Sequence, residues 1–372
     1  MTTDALGLYI HIPFCIRKCR YCDFCSFTDV SEEDKHRYVT RLVREISSYK
    51  RDEPYRADTV FFGGGTPSLL APRDFETILQ ALRDTFSVSA DAEITVEANP
   101  KTLSKEKLAC FRSCGVNRMS IGLQSINENE QKMLGRIHDS HDFFQSVDGV
   151  RAAGIDNLSV DIMYGIPEQT TTSFSRTVDA VLSVEPSHVS AYSLILEPGT
   201  PLYEERERLS LPDEDEELTM LDRLRERLSE RSIERYEISN YSVKGAECRH
   251  NIKYWTMQPY IGFGLAAHSY FDGARFSNAT ELSAYMDANG PCERQVLSVE
   301  DEMYEYAMLH LRTVRGFSLS QYRERFGVDF IQGRREVLDT LRAMKYLDVQ
   351  DGRLFLTDKG LYVSNRILTE IL

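Results

Sequence analysis

The chain is poor in every feature that would tie it to a membrane or to a polyanion. No apolar run approaches the roughly 18 residues that a membrane-spanning helix needs. Its first residues, Met-Thr-Thr-Asp, carry no basic region followed by an apolar stretch, so no secretory leader is expected. Basic charge is in deficit. Lys and Arg number 44 against 58 Asp and Glu, a formal net charge of −14, which argues against a broad nucleic-acid surface. Gly (21) and Pro (12) are at ordinary usage, which excludes collagen-like and low-complexity chains. The expectation is a soluble cytoplasmic protein. Its 372 residues suffice for two or three domains and a core that needs no disulfides.

In such a compartment the eight cysteines are reduced thiols, available for packing, metal ligation or catalysis. Four of them, Cys15, Cys19, Cys22 and Cys25, fall within one short stretch.

Six apolar, β-rich segments recur: 8–13, 59–62, 93–97, 118–123, 158–163 and 188–196. Helical patterns lie between them at 35–49, 72–86, 105–114 and 143–153, several with Pro at the start or Gly at the stop. This alternation predicts an α/β fold with a parallel sheet. Six units are two short of the eight that close a full barrel, so an open, partial (β/α)6 barrel is expected over 1–210. Residues 211–299 read as a connecting α/β region that opens on a charged helix, 218–231. From 300 to 372 the pattern is helix, helix, hairpin, helix, a winged-helix-like module in a C-terminal α+β extension. From Ser318 onward nine basic residues balance eight acidic ones, so DNA binding is not expected of it and packing is.

The run Cys15-Ile-Arg-Lys-Cys19-Arg-Tyr-Cys22 follows the first strand. Three thiolates can hold a cubane [4Fe–4S] cluster and leave one iron open. The alternatives are zinc and coincidence. Structural zinc usually takes four ligands, often as two such pairs, and no second pair is visible. Phe62-Gly-Gly-Gly-Thr-Pro-Ser68 follows the second strand, and glycines there let backbone approach a ligand. Polar residues Glu97, Gln124, Arg136 and Asp161 stand at or near the ends of later strands, where ligands of parallel α/β folds bind.

The cysteine spacing resembles the signature of the radical S-adenosylmethionine (SAM) superfamily. That resemblance implies SAM chelated at the open iron and reductively cleaved to a 5′-deoxyadenosyl radical, with a reductant such as flavodoxin or ferredoxin. It implies SAM contacts from Gly64, Gly65 and Thr66, with Glu97, Gln124, Arg136 and Asp161 around the ligand, and Tyr9 and Tyr21 packing beside it. No other catalytic residue is assigned. Cys25 comes three residues after Cys22 rather than two as in related oxidases, and reads as a loop or packing residue.

The segments HIPFCIRKCRYCDF, FFGGGTPS, EANP, NRMSIGLQS, LGRIH, DIMYGIPEQT and SAYSLILEPGTPLY together resemble the oxygen-independent coproporphyrinogen III oxidases and their relatives. Two features point to the HemW-type heme chaperone branch. Few residues precede the first strand, where the oxidases carry an extension. His250-Asn-Ile-Lys-Tyr-Trp255 matches that branch's H-N-x-x-Y-W motif and holds the chain's single Trp. The branch implies heme as cargo, apo-hemoproteins as acceptors, and transient contact with a membrane when the acceptor is a respiratory enzyme. His250 is the first candidate for heme contact, with Cys248 and His268 as weaker ones. Cys292 is discounted because it follows Pro291 rather than preceding a proline. Cys110 and Cys114 read as packing residues. The rival reading is an oxidase that decarboxylates two propionates of coproporphyrinogen III. A third, radical ring opening of a tetrapyrrole, is selected by nothing in the chain.

Overall fold

The computed structural model describes residues 5–288 and 290–372. Six parallel strands stand side by side in sequence order: β1 (Leu6–Ile12), β2 (Arg56–Gly64), β3 (Ser87–Ala98), β4 (Arg118–Gln124), β5 (Asn157–Tyr164) and β6 (His188–Ser193). Helices cross back between them, among them Glu32–Ser47, Pro72–Thr85, Lys105–Ser113, Ser140–Ala152 and Thr171–Ser183. The expected six-unit parallel array is therefore present, and no pairing among the described residues closes it.

Both edges of the sheet come from the region after 210, which the alternation of the first half did not reveal. On one side β6 pairs antiparallel with β8 (Asn240–Ser242), and β8 with β7 (Glu234–Arg235). On the other, β9 (Tyr260–Phe263) adds a parallel strand to β1. It continues antiparallel through β10 (His268–Phe271), β11 (Ala274–Ser277) and β12 (Glu293–Val296). An open parallel sheet leaves unpaired N–H and C=O groups at each edge, and these short strands cover them.

The C-terminal part contains β13 (Phe317–Ser318), β14 (Leu347–Gln350) and β15 (Arg353–Leu356) in a separate antiparallel sheet. The β14–β15 turn has Asp351 and Gly352 both at positive φ (51° and 73°), the hairpin turn the Asp-Gly pair predicts. Three helices, not two, precede this hairpin: Val299–His310, Leu319–Phe326 and Arg335–Ala343. The join to the main sheet is made by backbone. Ile238 N–H donates to Arg312 C=O at 3.1 Å, and Val314 N–H to Tyr236 C=O at 3.1 Å.

Strand β1 sets up everything that follows. Leu8, Ile10 and Ile12 are wholly buried under the helices, while Gly7, Tyr9 and His11 alternate to the opposite face, the mouth of the partial barrel. The turn after β9 is pressed against that strand. Gly264 has φ +99°, and a Cβ there would meet the Tyr38 hydroxyl at 2.5 Å and the His11 carbonyl oxygen at 2.7 Å. Replacement of Gly264 by Ala is expected to cost about 3 kcal/mol, from left-handed strain plus backbone collision. Gly245 is also at positive φ but has open space around it, so its Ala variant is expected to cost only about 1 kcal/mol. Urea midpoints of the two variants compare them; equal losses would show that crowding at Gly264 is relieved.

Candidate functional site

The loop after β1 is closed by backbone at its ends. Cys15 N–H donates to Phe27 C=O (2.9 Å) and Phe27 N–H to Pro13 C=O (2.7 Å). It is clamped in the middle, where Arg20 N–H donates to Leu134 C=O and Leu202 N–H to Arg20 C=O, both at 3.0 Å. Cys15, Cys19 and Cys22 all lie on it. Burial pushes the Cys22 thiol up to about 11, and the neighbouring Cys19 and Cys15 sulfurs push the same way. Cys25 faces elsewhere: its thiol donates to Thr280 C=O at 3.3 Å, beside the charges of Lys18 and Glu281.

The glycine turn at the end of β2 lies directly against this loop. A Cβ at Gly65 would come within 2.8 Å of Phe14 C=O, and one at Gly64 (φ +111°) within 2.6 Å of the His11 ring. Glycine is required here by the close fit of the two loops, whatever else the turn contacts. Thr66 is buried, with its hydroxyl 3.6 Å from Cys15 Sγ and accepting from Asn99 Nδ2 at 2.9 Å.

Arg136 links the cysteines to the far side of the mouth. Its Nη1 donates to Cys19 Sγ at 3.3 Å, and its Nη2 to Asn99 Oδ1 (2.5 Å) and Gly122 C=O (2.6 Å). No carboxylate pairs with this buried guanidinium among the described residues, and its Nε is buried without a partner. A buried cation needs compensating negative charge, and the sulfurs are what it faces. That arrangement fits a thiolate-bound cluster. Tyr21 lies beside Cys19 and Arg136, its hydroxyl held far above the ordinary value by burial.

Two carboxyls occupy the opposite part of the mouth. Gly64 N–H donates to Glu97 Oε2 at 3.2 Å, and Ser120 Oγ donates to Asp161 at 3.0 Å. Glu97 is pushed up to about 8, first by burial and then by the charge of Asp161. Tyr9 completes the wall: its ring lies 6.2 Å from that of Phe61 and its hydroxyl 3.1 Å from His11 Nδ1. Gln124, at φ +66°, shares the space beside Gly122 with Arg136 and Asn99. All the expected SAM-pocket residues thus border one mouth. Asn99 and His11 were not expected there. Asn99 stands in the EANP segment two residues past Glu97, the one available signal; His11 had none beyond the alternation of β1.

The candidates for heme contact separate. His250 lies on the helix Arg249–Trp255 and is wholly buried. Its Nδ1 bonds Thr59 Oγ1 and its Nε2 the Tyr254 hydroxyl, both at 2.8 Å, so neither ring nitrogen is free for a metal. Burial pushes it down to about 3, with Lys253 adding to the effect. Cys248 is buried, its thiol pushed up to about 12 by burial and donating to Glu93 at 3.7 Å. His268 is exposed. Cys292 is exposed, and Cys110 and Cys114 are buried beside Glu76.

A cleft of about 570 Å³ opens next to the mouth. Tyr9, Tyr254, Trp255 and Tyr260 supply its aromatic walls, and His268 and Cys25 face it.

Residues 9–181 match the radical SAM superfamily, and 297–363 the HemN C-terminal domain. The chain is 32% identical over 368 residues to heme chaperone HemW of Bacillus subtilis, covering 96% of this chain and 97% of the relative. It is 34% identical over 316 residues to heme chaperone HemW of Escherichia coli, covering 82% of each. Coproporphyrinogen III oxidase (HemN) from Escherichia coli has the same fold, with a TM-score of 0.87 at 22% identity, over 99% of this chain and 90% of that one.

The elevated Glu97 makes stability depend on pH. The folded, unliganded chain keeps a proton that the unfolded chain releases near its ordinary value of 4.5. The contribution is full below that value and is lost as pH rises from about 4.5 toward 8. Urea midpoints across that window should fall with rising pH, and less steeply in Glu97→Gln. Identical slopes would contradict the assignment.

Proposed function

The chain belongs to the HemW family of radical SAM proteins, and from that premise we propose that it is a heme chaperone: it binds heme and passes it to apo-hemoproteins. Family membership implies a [4Fe–4S] cluster and SAM. We assign the cluster to Cys15, Cys19 and Cys22. When bound, cluster and SAM together supply one-electron cleavage chemistry, with a flavodoxin or ferredoxin as the electron source.

The chain's own residues account for how such a ligand is held. SAM carries an amino group and a carboxylate, and the mouth is divided to match. Glu97 and Asp161 offer negative charge on one side; Arg136 offers the only guanidinium bonded to a cluster cysteine among the described residues. Gly64, Gly65 and Thr66 bring backbone to the ligand, while Gln124 and Tyr21 border it. Asn99 fixes the Arg136 fork. In this reading 1–210 bears the cofactors, 211–299 covers the sheet edges and carries H-N-x-x-Y-W, and 300–372 packs over the cleft. Reduced thiols suit a cytoplasmic setting. No helix among the described residues is long and apolar enough to cross a membrane.

The observation that carries the reading is the aromatic cleft beside that mouth. Flat aromatic walls suit a planar tetrapyrrole, and Tyr9 is shared by cleft and mouth.

Anaerobically reconstituted protein should bind heme, shown by a Soret band, and load an apo-hemoprotein. Protoporphyrinogen IX formed from coproporphyrinogen III with SAM and reductant would overturn the chaperone reading in favour of the oxidase. Replacing Cys15, Cys19 or Cys22 by Ala should abolish the visible absorption of the cluster, while Cys25→Ala should retain it. Loss in Cys25→Ala would make the fourth cysteine a ligand. Glu97 accepts from the SAM amino N–H only as the carboxylate, so binding expels its proton. SAM affinity should therefore rise as pH approaches about 8 and rise less steeply in Glu97→Gln.

A further inference from the structure

The cleft presents several side chains that can ligate iron, and their hydrogen bonds distinguish them. His11 is engaged at both ring nitrogens, by the Tyr9 hydroxyl at 3.1 Å and by Cys25 C=O at 2.9 Å. His250 stands behind the wall, engaged by Thr59 and Tyr254. Ligation by either would break a buried bond and strand its partner, a cost of about 1–3 kcal/mol. Cys25 would have to give up both its proton and its bond to Thr280, and burial already holds that thiol up. Met308 offers a neutral thioether, a weaker donor than imidazole. His268 alone among these histidines is exposed into the cleft with no hydrogen bond from its ring to any described residue.

Its backbone is held firmly. His268 opens β10, and the turn before it is tied by Ala266 N–H to Ala279 C=O (2.9 Å) and Asn278 N–H to Ala267 C=O (3.0 Å). The carbonyl of His268 lies so close over β9 that a Cβ at Gly262 would stand 2.3 Å from it. The segment Tyr260-Ile-Gly-Phe-Gly-Leu-Ala-Ala-His268 is therefore built to press one histidine against the sheet edge and leave its ring free. Across the cleft, Tyr254 meets Tyr260 edge-on at 4.5 Å, and the His250 bond to the Tyr254 hydroxyl fixes that wall from behind.

We propose that His268 supplies the nitrogen that ligates the iron of heme seated in this cleft, and that His250 is a positioning residue that orients Tyr254. The H-N-x-x-Y-W motif then shapes the pocket without touching the metal. This rests on the chaperone reading, since the occupant is its cargo.

The test is titration of the full-length, anaerobically reconstituted protein with ferric heme, followed through the Soret and visible bands. His268→Ala should lose the nitrogen-ligated spectrum and weaken binding by about tenfold or more, and added imidazole should restore the spectrum. His250→Gln keeps a hydrogen-bonding side chain, so it should retain the wild-type spectrum even where affinity falls. A His268→Ala spectrum identical to wild type, or ligation lost in His250→Gln and kept in His268→Ala, would overturn the assignment. Absence of heme binding by the wild-type protein would instead overturn the chaperone reading, and with it this one.

Discussion

The contact on which the site depends is the fit of the cysteine loop against the glycine turn of the next strand. Gly65 has a carbonyl where a Cβ would be, and Gly64 has the His11 ring. Only with both side chains absent can Cys15 lie beside Thr66 and Cys19 under Arg136. The parallel register of β1 and β2 brings the two loops to the same end of the sheet. The three thiols stand on one loop, where regular secondary structure would not aim them at one centre.

Electrostatics at the mouth follow from burial. A guanidinium faces sulfur on one side, and on the other burial raises the proton affinity of two carboxyls, with Asp161 adding to the effect on Glu97. A buried arginine lacking a carboxylate and a glutamate holding its proton are both relieved by ligands of the opposite charge. The same strand that places Tyr9 and His11 in the mouth also lines the cleft, so any cargo in the cleft lies next to the mouth proposed to hold SAM.

Much of this was legible in the sequence because it is local. Cysteine spacing, the glycine run and polar residues at strand ends each act within a few residues, and the structure brings them together at one mouth. The strands at the sheet edges were not legible. They are two to four residues long, and their pairing depends on partners far along the chain, as β9 on β1. Asn99 was missed because a polar residue past a strand end looks like any loop residue until Thr66 and Arg136 arrive beside it. His250 and His268 show the limit most clearly. The motif makes the first conspicuous, but whether a ring nitrogen is free is decided by Thr59, 191 positions away. His268, outside that motif, stood only as a weaker candidate.

The central claim is a site of three thiolates whose remaining iron accepts SAM. Electron paramagnetic resonance of the anaerobically reconstituted, reduced protein, recorded before and after SAM is added, tests it most directly. A cluster signal whose g-values move on addition of SAM is the result this account requires. A protein that takes up only zinc, or a cluster signal indifferent to SAM, would contradict it.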